Sequence, residues 1–388
     1  MIVLHFAALF CFAFVAFSQP IPRITVTGTV TDDSTSAMLQ NVNVFLAHTT
    51  LGSATDQDGH FEIRNVPLGS YELVASRIGY SMHSIQVTLP ASGMQPLKIR
   101  LRPKAIQVGE VVVTARDPSE WRDQLKQFTT LFLGKSKNAK SCRILNPEVL
   151  DFTTGEGGTF EATARSALEI DNLALGYHLS FFLTLFTLKY GNSVFSERSP
   201  GVLSYEGLPR YTELNPSTPD ERDRWRENRL RAYKGSLRHF LASLVNQSLE
   251  QEGFVIYQIP YVAGVPIRKY DPAVGLTVSG SGDRRDLHRK AIREQDVLHE
   301  NGIAYERVVE YTGFLEVEYT LETIEPEYDA LVKKGTDAQV SWMRLRRDRI
   351  TVDTRGIVKD LFFPTVISGY WGWERFADML PLDYEPGM

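Results

Sequence analysis

Two aspartates near the start of the chain have the residue types and spacing of a calcium-binding loop. The segment 55–61 reads TDQDGHF and places Asp56 and Asp58 on either side of a single residue. Calcium takes roughly six to eight oxygen ligands, and an EF-hand loop has a glutamate at its twelfth position. Counted from Asp56, that position is Pro67. Because Asp-Gly also favours a tight hairpin turn, we predict a turn here and expect no metal and no cofactor.

The cysteine and histidine side chains could supply a nucleophile and a base. Cys142 lies beside apolar residues, His178 in an apolar strand pattern and His239 on a predicted helix. A paired cysteine and histidine can act as nucleophile and general base, but structural packing explains all three positions better. The sequence contains no Gly-x-Ser-x-Gly, His-Glu-x-x-His or phosphate-loop motif. We predict no catalytic residue and keep a hydrolase in the C-terminal region as an alternative.

The C-terminal tail carries a dense group of aromatic side chains. Tyr370, Trp371, Trp373 and Phe376 follow one another closely in the segment SGYWGWERF. If these rings were exposed, they could stack on sugars and would mark a ligand-binding surface. This gives a second alternative, a carbohydrate-binding accessory protein. The interpretation that we favour is that these rings close a hydrophobic core.

A third group of side chains is basic. The segment Thr218-Pro219-Asp220-Glu221 is a capping box, and it predicts one long helix that runs to about Glu252 and stops at Gly253. The first half of this helix carries Arg222, Arg224, Arg226, Arg229, Arg231, Lys234 and Arg238. Acidic residues alternate with them, and the formal net charge of the chain is −5. This pattern indicates a solvated face with intrahelical ion pairs, not a nucleic-acid surface.

The elements that would position these side chains begin with an alternating pattern between Ile24 and Leu101. Apolar and polar residues alternate in short segments, and glycine, proline and aspartate separate the segments every roughly 8–12 residues. About seven such segments predict an antiparallel all-β sandwich.

Several spaced motifs within residues 22–115 resemble the carboxypeptidase regulatory-like domain. They are Gly28-Thr29-Val30, Thr55-Asp56-x-Asp58-Gly59-x-Phe61, Val66-Pro67-x-Gly69-x-Tyr71-x-Leu73 and Gly79-Tyr80. The resemblance implies a transthyretin-like (prealbumin-like) β-sandwich. Residues 110–115 (EVVVTA) are also similar to the segment that follows this domain in outer-membrane transporters of Bacteroidetes-type bacteria. About 270 residues remain after it, with no glycine-rich plug motif, so we expect no plug and no barrel.

The resemblance concerns an accessory domain, not the catalytic domain of a zinc carboxypeptidase. That enzyme holds its metal with a His-x-x-Glu pair, and none of the eight histidines here has a glutamate three residues later. The resemblance therefore implies a non-catalytic binding or structural role. The expected partners are cell-envelope proteins or glycans, with no nucleic acid.

The first residues predict export. Residues 1–19 are largely apolar and end in small residues near Ala16 and Ser18, as a secretory signal peptide does; a retained membrane anchor is the alternative. Without this segment Cys142 is the only cysteine, so the fold would depend on its hydrophobic cores and not on a disulfide. We expect a protein of the periplasm or outer-membrane surface, peripheral to that membrane.

The rest of the chain, residues 117–388, mixes strands with a few helices. Asp117-Pro118 opens a predicted helix that ends at Gly134, and alternating residues resume from Val149 to Leu188. This order predicts an α+β, strand-rich region with one long helix. The pattern leaves open whether it is one domain or two.

Overall fold

The computed structural model describes residues 21–90, 92–104, 118–155, 158–189, 202–259, 269–271, 275–277, 290–328, 338–345, 347–359 and 365–387. The predicted signal peptide, residues 1–19, and the segment 110–115 lie outside these ranges. Among the described helices, none is both long and apolar enough to cross a membrane.

Residues 23–101 form a sandwich of two sheets. Its strands are β1 (Arg23–Asp32), β2 (Asn43–Leu46), β3 (Gly52–Ala54), β4 (His60–Pro67), β5 (Gly69–Ser76), β6 (His83–Leu89) and β7 (Leu97–Leu101). One sheet has the order β4-β1-β7 and the other has the order β3-β2-β5-β6. Alternating residues of both sheets, such as Val30, Leu73 and Ile99, are buried in one core. The predicted all-β sandwich of about seven strands is confirmed.

One edge of the sandwich departs from an antiparallel arrangement. β7 pairs with β1 in parallel, from Gly28 opposite Leu97 to Asp32 opposite Leu101. A Cβ atom on Gly28 would lie 2.4 Å from the Leu97 carbonyl oxygen and 2.6 Å from the Phe61 ring. The absence of a side chain at Gly28 therefore lets β7 and the core ring approach β1 closely.

A six-stranded sheet follows the sandwich. Its strands are β8 (Cys142–Ile144), β9 (Leu150–Thr154), β10 (Phe160–Ala164), β11 (Leu168–Asn172), β12 (Tyr177–Lys189) and β13 (Val202–Glu213). The order is β8-β11-β12-β10-β9, and β13 also pairs with β12. Helix α1 (Pro118–Leu133) packs its apolar stripe on this sheet, with Phe128 4.6 Å from Phe186 and Phe132 5.2 Å from Phe181 between ring centroids.

The last part of the chain builds a five-stranded sheet, a three-stranded sheet and a hairpin. Their strands are β14 (Phe254–Ile259), β15 (Lys269–Asp271), β16 (Gly275–Thr277), β17 (Lys290–Ala291), β18 (Leu298–Glu300), β19 (Glu306–Glu310), β20 (Phe314–Thr323), β21 (Ala338–Arg344), β22 (Arg349–Asp353) and β23 (Val366–Gly369). The orders are β17-β14-β20-β21-β23, β18-β19-β22 and β15-β16. The predicted strand-rich α+β region is confirmed.

The predicted single long helix is wrong, because the chain forms two helices there. α2 (Pro219–Tyr233) ends at Lys234, and α3 (Leu237–Val245) begins after Ser236, whose hydroxyl accepts the His239 N–H. Between them Gly235 has φ +71°, and a Cβ atom there would lie 2.7 Å from the Tyr319 ring. A left-handed glycine followed by a serine cap ends one helix and starts the next. A short helix, α4 (Tyr370–Trp373), follows β23.

The sandwich is joined to the rest of the chain along the turn between β2 and β3. The His48 N–H donates to the Pro209 carbonyl oxygen of β13 at 2.7 Å, and the Leu382 N–H donates to the His48 carbonyl oxygen at 2.8 Å. Beside them the rings of Phe45 and Phe182 stack with centroids 6.2 Å apart. Backbone hydrogen bonds and apolar contact together fix the sandwich against the six-stranded sheet.

Candidate functional site

The aromatic group of the tail does not form a surface. Tyr370, Trp371, Trp373 and Phe376 are only 3%, 4%, 7% and 2% exposed. The Trp371 Nε1–H donates to the Gly235 carbonyl oxygen at 2.7 Å. The exposed stacking face required by the carbohydrate-binding alternative is therefore not made by these four rings.

The buried rings connect two cores. Phe376 stacks on Phe132 with centroids 4.5 Å apart, in the core between α1 and the six-stranded sheet. Trp371 packs 5.4 Å from Phe240, in the core between α3 and the last two larger sheets. Burying these apolar rings stabilises the fold, which is the role that we favoured from the sequence.

The Asp56 side chain holds a turn. Its Oδ1 atom accepts the backbone N–H groups of Asp58 at 2.9 Å and His60 at 2.8 Å, and Gly59 has φ +71°. A carboxylate that accepts two N–H groups of its own loop replaces part of the backbone pairing of a hairpin. This agrees with the predicted turn. Among the described residues, no group of three His, Cys, Asp or Glu side chains is placed to hold a metal ion.

Cys142 and His239 occupy packed positions. Burial raises the pKa of the Cys142 thiol to about 12, so this thiol is protonated and a weak nucleophile at neutral pH. His239 is buried, its Nδ1 accepts the Gly235 N–H at 3.1 Å, and its Nε2 lies 3.2 Å from a Glu252 carboxylate oxygen. Burial lowers the pKa of His239, and the contact with Glu252 partly opposes this.

His178 lies on the partly exposed face of β12. Its Nδ1 is 2.8 Å from an Asp171 carboxylate oxygen, and its Nε2 is 3.0 Å from a Glu169 carboxylate oxygen. The Ser180 hydroxyl donates to the same Glu169 oxygen at 2.8 Å. Both ring nitrogens thus face carboxylates, and the serine hydroxyl is directed to Glu169. The four side chains form a cross-strand polar network.

A cleft of about 630 Å³ lies between α2 and the segment that leads into β8. This volume falls within the roughly 300–1,000 Å³ of small-molecule sites. We call it the basic cleft, and its lining residues are Lys137, Asn138, Lys140, Ser141, Arg143, Leu173, Ala174, Glu221, Arg224, Glu227, Asn228 and Arg231. Five of these side chains are cationic and two are anionic, so the lining carries a formal excess of three positive charges.

The α2 wall of the cleft is fixed by polar contacts with the turn between β11 and β12. The Trp225 indole N–H donates to the Leu173 carbonyl oxygen at 2.9 Å, and the Asn228 amide donates to the Ala174 carbonyl oxygen at 2.8 Å. The Arg229 Nε–H donates to the Leu175 carbonyl oxygen of the same turn at 2.7 Å. Because these three residues lie one turn apart or less, they hold the helix in one orientation over the sheet.

This docking explains the charge pattern of α2. Trp225, Asn228 and Arg229 turn towards the protein, whereas Arg224 and Arg231 point into the basic cleft. The Arg224 guanidinium lies 3.5 Å from a Glu221 carboxylate oxygen, an intrahelical pair of the kind that the sequence predicts. Intrahelical pairs of this kind compensate only part of the positive charge on α2.

The opposite wall is held by a buried carboxylate. Asp378 Oδ1 accepts the Ser136 hydroxyl at 2.9 Å and the Asn138 amide at 3.0 Å. Burial raises the pKa of Asp378 to about 6, although these two hydrogen bonds oppose the rise. Further along this wall the Lys140 ammonium pairs with the Glu327 carboxylate, while Arg143 extends from β8 as an exposed side chain.

The sequence alone did not indicate the basic cleft. Its two walls, the segment 137–143 and helix α2, lie far apart in the chain, and only the fold of the six-stranded sheet brings them together. The available signal was the unequal charge of the two regions, since residues 135–143 (KSKNAKSCR) contain no acidic residue.

Residues 26–113 match the family model of the CarboxypepD_reg-like domain. The match covers the sandwich except for the first three residues of β1, and it confirms the resemblance to the carboxypeptidase regulatory-like domain. The remaining residues, which build the basic cleft, lie outside it. Among curated proteins, none matches the chain.

Solved structures resemble parts of the chain. A mutant type II cohesin–X-dockerin complex from Acetivibrio cellulolyticus matches at 26% identity over 20% of this chain and 56% of the other, with a TM-score of 0.18. The chain thus spans little more than half of that relative. A DUF3823 family protein from Parabacteroides merdae matches at 14% identity over 50% of this chain and 80% of the other, with a TM-score of 0.18. With TM-scores this low, these structures support no inference about function.

The chain thus carries a CarboxypepD_reg-like domain at residues 26–113, followed by a strand-rich α+β region that contains the basic cleft.

Proposed function

We propose that this chain is a non-catalytic binding protein of the cell envelope and that the basic cleft holds its ligand. The observation that carries the proposal is the lining of the cleft, where five cations and two carboxylates surround a space of small-molecule size. A concave surface with an excess of one sign of charge attracts ligands of the opposite sign. The ligand is therefore expected to be anionic.

The state of the nucleophilic and basic side chains supports a non-catalytic role. The Cys142 thiol has a raised pKa, and the Cys142 side chain is buried in the core beneath α1. His239 is enclosed between Tyr233, Phe254 and Tyr319, with ring centroids 4.9–5.9 Å away. In these positions both groups contribute to packing. The basic cleft itself contains no cysteine or histidine among its lining residues.

The CarboxypepD_reg-like sandwich supports a role as a rigid base for the cleft. It is fixed to β13 and to the segment around Leu382 by backbone hydrogen bonds. A purely structural role of the whole chain is the second candidate function, and this extended junction is the observation that favours it. Under that alternative the basic cleft would have no ligand.

The proposed location follows from the apolar residues 1–19, together with the accessory character of the sandwich. We infer export through a signal peptide to the periplasm or the outer-membrane surface. Fractionation of a Gram-negative host that produces the full chain tests this, with N-terminal sequencing of the recovered protein. Recovery of the uncleaved chain from the cytoplasm would contradict the inference.

Binding by the cleft is tested with the purified protein and a soluble polysaccharide extract of the cell envelope. We expect the wild-type protein to retain an anionic component that is recovered chemically unchanged. The double variant Arg143→Glu/Arg231→Glu should lose it, because two cations of the lining become carboxylates. Arg226→Glu makes the same charge change on α2 outside the cleft and is the matched control. Equal retention by all three proteins would contradict the proposed site.

A further inference from the structure

The chemical character of the lining narrows the class of ligand. Besides its charges, the basic cleft is lined by the Ser141 hydroxyl and by the amides of Asn138 and Asn228. Each amide uses one N–H to hold a wall of the cleft, on Asp378 and on the Ala174 carbonyl oxygen, and keeps its second N–H for a ligand. Amides and hydroxyls both donate and accept hydrogen bonds. A ligand that satisfies this lining needs anionic groups for the cations and also several neutral hydroxyls for the amides and carboxylates.

The two carboxylates of the lining are informative. Ionised carboxylates can only accept hydrogen bonds. Glu221 already accepts the Ser217 N–H at 2.7 Å and lies 3.5 Å from the Arg224 guanidinium, so Glu227 is the carboxylate of the lining that is left to accept a donor from the ligand. A ligand whose charge is dense and whose surface has few donors, such as a polyphosphate, would be repelled by both carboxylates. A ligand with hydroxyl groups between its anionic groups would instead donate to Glu227 while its anions meet Arg143 and Arg231.

The apolar part of the lining is small and aliphatic. It consists of Leu173, which is 38% exposed, and Ala174. No aromatic side chain is among the lining residues, whereas proteins that hold nucleic-acid bases commonly stack them on aromatic rings. Leu173 and Ala174 offer a weakly apolar contact that suits the C–H face of a saturated ring.

We propose that the ligand of the basic cleft is an acidic oligosaccharide, with carboxylate groups bound by the guanidinium and ammonium groups and ring hydroxyls bound by Glu227, Ser141 and the amides. Arginine binds carboxylates through paired, charge-assisted hydrogen bonds. Arg143 from β8 and Arg231 from α2 approach from opposite walls, so they can bind carboxylates on different sugar units. This assignment rests on the proposed binding function and specifies its ligand.

The test ligands distinguish recognition of a charged sugar from recognition of negative charge alone. Calorimetric titrations of the full chain use trisaccharides of galacturonate, glucuronate and mannuronate, each also as its uncharged methyl ester. Citrate supplies carboxylates without a sugar, and inorganic phosphate supplies a different anion. We expect saturable binding of at least one uronate trisaccharide, a loss of about tenfold or more in affinity for its methyl ester, and no saturable binding of citrate or phosphate.

The variants assign the binding to the cleft. Arg143→Glu/Arg231→Glu should abolish uronate binding, and Glu227→Gln should weaken it while leaving the cations in place. Arg226→Glu should bind as the wild-type protein does. Equal unfolding midpoints of the variants show that any loss arises at the site and not from unfolding.

Each contrary result has a distinct meaning. If citrate or phosphate binds as tightly as the uronates, the ligand is a simple anion and not an acidic oligosaccharide. That result would overturn the ligand class but not the proposed binding function. The same holds if no uronate binds but the envelope extract is still retained in an Arg143-dependent and Arg231-dependent manner. If neither uronates nor the extract depend on these arginines, both the ligand class and the proposed function fail.

Discussion

The aromatic tail and the basic cleft are linked by a hydrogen bond between Asp378 and Asn138, yet they use their side chains in opposite ways. The rings of Trp371 and Phe376 are buried and connect two hydrophobic cores, whereas Arg143 and Arg231 extend from regular elements into an open cleft. Asp378 lies between them, since it follows Phe376 in the same short turn and holds Asn138 of the cleft wall. Residue types typical of binding sites are here structural, and residues typical of a solvated helix face line the candidate site.

The largest expected effect tests the tail. Trp371→Ala removes a buried ring and its hydrogen bond to the Gly235 carbonyl oxygen. We expect the free energy of unfolding to fall by about 3–5 kcal/mol, because the cavity in the core cannot fully close. Urea denaturation followed by tryptophan fluorescence and circular dichroism measures this. A loss below about 1 kcal/mol would show that the ring is not part of the packed core.

A buried ion pair extends the comparison of buried and exposed side chains to charged groups. Asp353 is fully buried and accepts from the Arg355 guanidinium at 2.7 Å, and Lys359 lies 3.9 Å away. Asp353→Ala leaves the Arg355 cation without this partner, so we expect a loss of about 3 kcal/mol in the free energy of unfolding. Glu62→Gln breaks the exposed pair with Arg64 and should leave the urea midpoint unchanged. Equal midpoints for both variants would contradict the difference between buried and exposed charge.

The pH dependence of stability comes next in size. The folded-state pKa of Asp378 is raised to about 6 by burial, so the folded protein binds this proton more tightly than the unfolded chain. The contribution of Asp378 to stability is therefore fully present below its ordinary pKa of 3.8 and is lost as the pH rises through about 6. Asp378→Asn should remove this decline. Unfolding midpoints measured between pH 4 and 7 compare the two proteins, and parallel curves would contradict the assignment.

His48 should act with the opposite sign and is the natural control. Burial lowers its pKa to about 4, so its contribution is present above pH 6.5 and is lost as the pH falls towards 4. His48→Asn should remove this loss, and asparagine tolerates the left-handed backbone at this position, where φ is +64°. A double variant with Asp378→Asn should then show the flattest profile.

The smallest expected effect on stability belongs to the cleft. Arg143→Glu and Arg231→Glu change exposed side chains, and each should alter the free energy of unfolding by no more than about 0.5 kcal/mol. The same variants are expected to lose ligand. A large destabilisation by either one would instead place these arginines among the structural residues, with the tail.

The sequence predicted the N-terminal sandwich well because its signals are local. Alternation with period two defines each strand, and residues such as Asp56 and Gly59 define turns through their own backbone. The parallel pairing of β1 with β7 was not predictable in the same way, since alternation does not identify the partner of a strand. The match at residues 26–113 agrees with this local reading.

The C-terminal region was harder to predict because its decisive features depend on tertiary contacts. The break at Gly235 interrupts an otherwise continuous helical pattern, and it is imposed where Tyr319 and Trp371 pack against the connecting residues. The basic cleft forms only because the turn between β11 and β12 holds α2 next to the segment 137–143. Neither the break at Gly235 nor the basic cleft can be predicted from the order of residue types along the chain.

The Arg23–Glu385 ion pair has a mechanical consequence. It brings the start of β1 next to the last described segment, which is further held where the Thr50 N–H donates to Asp383 at 2.9 Å. A force that pulls Arg23 and Glu385 apart would act across a short distance. It would break the side-chain contacts between these two segments before it could stretch a sheet. Joining the two positions with a short linker and opening the chain elsewhere should therefore yield a permuted protein with the same arrangement of strands.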